Sequence, residues 1–236
     1  MFGPAERWVA RRYLRPTREH GFVSVITVFA LTGIALGVGT LIVVLAVING
    51  FRAELLDRIL GLNGHLTVQS APAGIADYET LVDRLARIED VREVTPFVEG
   101  QAMASAGGVA SGVLIRGLRE QDLQGRNILA GNLLRGSLEG FAGTRRIAVG
   151  SQLARRLGLR LGDDLTLISP DGPATALGTL PRVVSFEVAA IFEIGMYEYD
   201  NGVVFTALDA AQAYFNLDDR VNTIDAFLED PERLQD

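Results

Sequence analysis

The 236-residue chain contains no cysteine and no lysine, and only two histidines. Without cysteine there are no disulfides, thiolate metal sites or Cys nucleophiles, so a folded part must be held by its core alone. Without lysine there is no P-loop, whose phosphate-binding run ends in Gly-Lys-Ser/Thr. His20 and His65 stand on either side of a long apolar run, so no metal cluster can be built around them. The remaining candidates for chemistry also have simpler readings. Gly150-Ser151-Gln152 continues into Leu153 and Ala154 and is not the nucleophile elbow G-x-S-x-G, so Ser151 reads as a helix cap. Asp163-Asp164 reads as an exposed turn entering a strand rather than a metal carboxylate pair. Glu198, Asp200, Tyr197 and Tyr199 fit a turn, Asp200-Asn201-Gly202, between two strands better than acid–base chemistry. We expect no catalytic site, no metal and no cofactor.

Charge is missing from Gly21 to Gly50, and the dense apolar stretch runs from Val23 to Ile48. As a helix rising about 1.5 Å per residue it would be about 39 Å long, enough to cross a hydrocarbon core of roughly 30 Å with some tilt. It is too long for the apolar region of a signal peptide and ends in Asn49, Gly50 and Phe51 with no small-residue cleavage pattern. Ahead of it lie Arg7, Arg11, Arg12, Arg15 and Arg18 against Glu6 and Glu19, a net of +3, which leaves −10 of the chain's −7 to the rest. The positive-inside rule puts the arginines in the cytoplasm and the acidic part outside. That position beside a span explains them better than nucleic-acid binding does. Inside the span, Gly33 and Gly37 form a G-x-x-x-G with Gly39 just beyond, a small-residue face on which a partner helix can pack.

Beyond the span, Phe51–Leu60 keeps helical character and predicts a stalk ending near Gly61 or Gly64. Leu66–Gln69 reads as a strand, Asp77 as an N-cap and 78–89 as an amphipathic helix. Val91–Pro96 and Phe97–Ala106 read as strands, Gly107-Gly108 as a turn, Ala110–Gly117 as a strand, and 119–143 as a connection holding a short helix or two. Then come a strand at 147–149, a helix 152–157 capped by Ser151, and strands at 165–169, 183–192 and 203–205. A helix 207–216 follows, for which Thr206 and Asp209 resemble a capping box, and a last strand runs over 224–228. Asp230-Pro231 is a helix start signal, so the chain is expected to be a fragment of a longer protein. The fold class is α+β: one N-terminal transmembrane helix and then a mixed α/β domain.

Several segments resemble one family. Arg12-Tyr13-Leu14-Arg15, Ser24-Val25-Ile26, Gly33-Ile34-Ala35-Leu36-Gly37-Val38, Asn49-Gly50-Phe51-Arg52-Ala53-Glu54-Leu55 and Ile59-Leu60-Gly61 are similar to the start of the LolC/LolE lipoprotein-release permeases. Ile191–Asp200 is similar to a strand-and-turn segment of the same family. The resemblance covers essentially the whole chain, and the Asn-Gly-Phe-x-x-Glu-Leu segment is its more specific part. It implies four membrane helices, of which this chain would hold the first, and a MacB-like periplasmic core in two parts. The implied layout is a cytoplasmic N-terminus at 1–20, the helix and stalk at 21–62, a first periplasmic subdomain at 63–118 and 221–236, and an inserted second one at 119–220. Implied partners are a cytoplasmic ABC ATPase, a second permease subunit (the same or different), lipoprotein substrates, membrane lipid and a periplasmic chaperone, with no nucleic acid.

Two sites are implied by position. The upper end of the helix, Leu41, Val44, Leu45 and Ile48, would contact the acyl chains of the lipoprotein. A hook-like hairpin, Thr175, Ala176, Leu177, Gly178, Thr179, Leu180, Pro181 and Arg182, would receive the chaperone, although its tip carries only Ala and Leu where the family has bulkier apolar groups. Related alternatives are a MacB-like efflux or FtsX-like signalling permease, neither of which needs the hook. The contrasting alternative is a single-span sensor or tethered binding domain.

Overall fold

The computed structural model describes residues 8–9, 21–70, 74–125, 127–169, 174–175 and 178–229. The chain divides into two compact units, residues 1–57 and 58–236. A long helix, α1, runs over Gly21–Leu62. Its stretch Val25–Arg52 is long and apolar enough to cross a membrane, and every side chain along that stretch is exposed. A bare apolar surface of this length is stable in lipid rather than in water. Two of its threonines return their hydroxyls to the helix, Thr32 to the Val28 carbonyl and Thr40 to the Leu36 carbonyl, both at 2.8 Å. Neither hydroxyl then faces hydrocarbon unpaired.

The second unit is built on one sheet. After β1 (Leu66–Gln69) and α2 (Tyr78–Leu85) come the long strands β2 (Val91–Ala106) and β3 (Val109–Leu118), joined at Gly107-Gly108. Both glycines have positive φ, 57° and 82°, which a tight hairpin turn between twisted strands demands. The strands expected on either side of Pro96 are one. Pro96 pairs with β11 at a point where the β3 ladder, which starts at Phe97, has not begun, so the proline costs no bond there.

The chain continues through α3 (Glu120–Gly125), α4 (Asn127–Ala130), β4 (Leu133–Gly136), β5 (Arg146–Gly150), α5 (Ser151–Leu157), β6 (Asp164–Ser169), β7 (Ala174–Thr175) and β8 (Gly178–Thr179). Then follow β9 (Arg182–Phe192), α6 (Tyr197–Gly202), β10 (Val203–Ala207), α7 (Leu208–Phe215) and β11 (Thr223–Leu228). The strand order is β1-β11-β2-β3-β10-β5-β9-β4, and β6 pairs with both β2 and β9. The ladders β2–β3, β3–β10, β10–β5, β5–β9, β9–β6 and β6–β2 therefore close on themselves as a small six-stranded barrel. Strands from both expected parts of the domain share this sheet.

Three apolar cores follow from the period-2 alternation of these strands. Inside the barrel, Val113, Ile115, Ile147, Val149, Leu165, Leu167, Phe186 and Val188 meet, with Leu153 and Leu157 of α5 against them. On the outer face, Phe192, Phe205 and Leu118 pack under Leu123, Leu129, Leu138 and Phe141. Beside the barrel, Val94, Val98, Ile224 and Ala226 lie against α2 and α7.

Several local expectations differ from the structure, and at Ser151, Thr206 and Asp209 the reason is a distant group that takes the side chain. Asp77 is left-handed (φ 52°) and makes no side-chain cap; its carboxylate accepts from the Thr80 hydroxyl at 2.9 Å. Helix α2 ends at Leu85 rather than 89. Ser151 does not cap α5: Gly150 occupies the cap position, and the Ser151 hydroxyl donates to Glu193 at 2.9 Å. The capping box fails too. Thr206 donates to the Arg146 carbonyl at 2.8 Å, and Asp209 receives the Gly143 N–H at 2.8 Å. The turn expected at Asp200–Gly202 belongs to the helix α6. The last residues, with Asp230-Pro231, and His20 lie outside the described residues.

Candidate functional site

Where the chain leaves α1 and enters the sheet, a joint of partly and fully buried polar groups forms. Asn63 follows α1 directly, and its side chain faces two ways. Its amide donates to the Tyr199 hydroxyl at 2.6 Å, and its carbonyl receives the Arg116 guanidinium at 2.8 Å. The same guanidinium donates to Glu99 at 2.6 Å and lies 5.5 Å over the Phe97 ring. Arg116 is 8% exposed, so this is an ion pair largely removed from water. One residue on, the Gly64 N–H and the Thr67 hydroxyl both donate to the Asp225 carboxylate, at 3.1 and 2.7 Å. His65 Nδ1 accepts the Leu228 N–H at 2.8 Å. The residues that follow the helix are thus bonded to three elements: Asn63 to α6 and β3, and Gly64, His65 and Thr67 to β11.

None of this was expected from the sequence, yet a signal was there. Arg116 alternates with Leu114 and Leu118 in a strand, and Asp225 stands between Ile224 and Ala226 in another. A charge set in an apolar strand marks a buried, partnered group. The segment Ile191–Asp200 feeds the same joint. Glu193 holds Ser151, Tyr197 accepts from Arg156 at 3.1 Å, Tyr199 accepts from Asn63, and the Asp200 carboxylate receives the Ile194 and Gly195 N–H groups at 2.8 and 3.0 Å. Each of these named polar groups is engaged in a hydrogen bond that holds structure. No group of three or more potential metal ligands occurs among the described residues.

The hook expectation falls on a real hairpin. β7 and β8 pair antiparallel, Ala174 with Thr179 and Thr175 with Gly178, between β6 and β9. Ala176 and Leu177 lie outside the described residues. Leu180 is 56% exposed, and Pro181 is also exposed. Arg182 at the root is fixed: its guanidinium donates to the Ala213 and Tyr214 carbonyls, 2.6 and 2.8 Å away. These belong to the last turn of α7, whose carbonyls have no helical partner and carry partial negative charge.

Beside that anchor, the Tyr214 hydroxyl is buried in the barrel core with no hydrogen-bond partner. Burial pushes its pKa up to about 12, against the pull of Arg182. The folded chain keeps this proton until about pH 12, whereas an unfolded tyrosine loses it near pH 10. Stability is therefore expected to fall as pH rises between those values. Tyr214→Phe should remove that part of the fall and leave stability at pH 7 equal or about 1 kcal/mol higher, because an unpaired buried hydroxyl is lost. Denaturant titrations at pH 7 and pH 11 check both.

In the membrane helix, Leu41, Val44, Leu45 and Ile48 are all exposed. Nothing lies within 4 Å of where a Cβ would stand on Gly33 or Gly37. At about 100° per residue these six positions fall within roughly 120° of one another. The small-residue face and the apolar upper face form a single stripe.

The chain matches the MacB-like periplasmic core domain over residues 27–236. It is 32% identical over 228 residues to the lipoprotein-releasing system transmembrane protein LolC of Neisseria meningitidis serogroup B, covering 96% of this chain and 55% of that one. It is likewise 32% identical over 219 residues to LolC of Xylella fastidiosa, covering 92% and 53%. To LolE of Haemophilus influenzae it is 26% identical over 230 residues, covering 95% and 55%. The chain spans about half the length of the curated relatives it matches.

Proposed function

The chain belongs to the MacB-like periplasmic core domain family, in its LolC/LolE branch, and from that premise we propose that it is part of the permease subunit of an ABC transporter that extracts lipoproteins from the bacterial inner membrane. The N-terminus is cytoplasmic and the mixed α/β domain periplasmic. ATP is hydrolysed by a separate cytoplasmic ATPase, and the permease works with a second subunit of the same or a different kind. This chain's part is mechanical. The stripe from Gly33 to Ile48 packs against a partner helix at its lower end and against acyl chains at its upper end. Asn63 and Arg116 fix the residues that follow the helix to the sheet. In this reading residues 63–118 with 221–236 make one part of the domain and 119–220 the other, and strands of both parts share the barrel.

The observation that favours lipoprotein transfer over efflux or signalling is the β7–β8 hairpin, which ends in the exposed Leu180 and has its root bolted to α7 by Arg182. An exposed apolar side chain on an anchored hairpin suits a docking partner. A photoreactive amino acid at Leu180 of the intact protein is expected to capture the periplasmic lipoprotein chaperone. Capture that fails while the protein is well expressed would return the reading to an efflux or signalling permease.

A further inference from the structure

A concavity lies beside the start of the segment Ile191–Asp200, with Ser151 and Ile191 in its lining. It has a volume of about 380 Å³ and opens between α5 and the edge strand β4. Three arginines from three segments line it: Arg135 of β4, Arg155 of α5 and Arg160 of the turn that follows. Leu134, Leu159 and Ile191 supply apolar wall.

Two arginines elsewhere in the domain hold a carboxylate: Arg116 has Glu99 and Arg119 has Asp122, each at 2.6 Å. Here only Arg155 has one. Its partner Glu193 is 3.4 Å away and already accepts the Ser151 hydroxyl. Arg135 and Arg160 have no ion pair among the described residues. The nearby Asp163 carboxylate accepts the backbone N–H of Arg160 at 2.7 Å rather than its guanidinium. Like charges gathered on one concave surface repel, and an anion seated among them reverses the sign of every one of those interactions. Planar guanidiniums present paired donors matched to phosphate oxygens. The apolar wall beside them suits a phosphate with a small organic group attached.

We propose that the cavity between α5 and β4 binds a phosphate group through Arg135, Arg155 and Arg160. The source is either a phospholipid headgroup or free phosphate, which share this chemistry. The proposal is independent of the lipoprotein reading.

Isothermal titration of the intact protein in a maltoside detergent separates the possibilities. The probes are inorganic phosphate and glycerophosphoglycerol, the soluble headgroup of phosphatidylglycerol, with glycerol as the uncharged control. We expect saturable binding of a phosphate probe that weakens as salt is raised. Affinity should drop at least tenfold in the Arg135→Gln/Arg160→Gln variant. Both side chains are exposed, so the variant should keep its thermal transition, and Arg135→Gln alone gives a milder check. A headgroup bound at least tenfold tighter than phosphate identifies lipid, and equal affinity identifies free phosphate. No saturable binding of either probe, or unchanged affinity in both variants, would overturn the proposal.

Discussion

Arg116→Met is expected to lower the unfolding free energy of the domain by about 3 kcal/mol, the scale for removing one partner of a buried ion pair. Methionine fills much of the same volume and still packs on Phe97, so the loss is not one of packing. What is lost is the donor that reaches Glu99 and Asn63 together. Glu99 is then left with a carboxylate whose side chain is 21% exposed, and the Asn63 carbonyl is left without that bond. The double variant Arg116→Met/Glu99→Met should recover part of the deficit, since it removes the stranded charge as well. Denaturant unfolding of the two variants and the parent measures this. A double variant less stable than Arg116→Met alone would show that the pair is not what Arg116 holds. In transport the same change should uncouple the stalk from the sheet, so release falls by more than the loss of folded protein explains.

Gly150→Ala is expected to cost as much or more, although it adds one methyl group. Gly150 has ordinary backbone angles (φ −69°, ψ 150°), so alanine suffers no backbone strain. Its Cβ would instead stand 2.2 Å from the Asp200 carbonyl oxygen and 2.5 Å from its carbon. These are main-chain atoms of α6, with no rotamer to escape into. Either β5 or α6 must move, and overpacking of this kind costs about 1–3 kcal/mol, occasionally more. If α6 moves, Tyr199 leaves Asn63 and Asp200 leaves the 194–195 turn. The joint should then loosen even though the substitution lies outside it. A thermal transition within a degree of the parent would contradict the close approach.

The sequence carried the helix and most of the strands because their signals are local. An absence of charge over Gly21–Gly50 is visible without any partner, and Gly107-Gly108 between apolar alternations marks a hairpin. The misassigned caps show the limit of that reading. Ser151 stands where a cap belongs, but Glu193 comes to it from 42 residues away. Thr206 and Asp209 have capping-box spacing, but each bonds a residue about 60 positions distant. Closure of the barrel depends on β6 meeting β2 and β9 at once, which no window of sequence records. The joint was hidden for the same reason, since Arg116 reaches Asn63 across 53 residues. The hairpin was foreseen by resemblance, whereas its anchor through Arg182 to α7 was not.

The stripe on α1 is proposed to receive the acyl chains of a lipoprotein. Its most direct test places a photoreactive amino acid at Leu45 of the intact protein, in membranes containing its ATPase and an acylated lipoprotein. The account predicts a lipoprotein adduct that disappears when the same lipoprotein lacks its acyl chains, and a weaker adduct from the opposite face at Val43. Equal adducts at both positions, or none from a well-expressed protein, would contradict it.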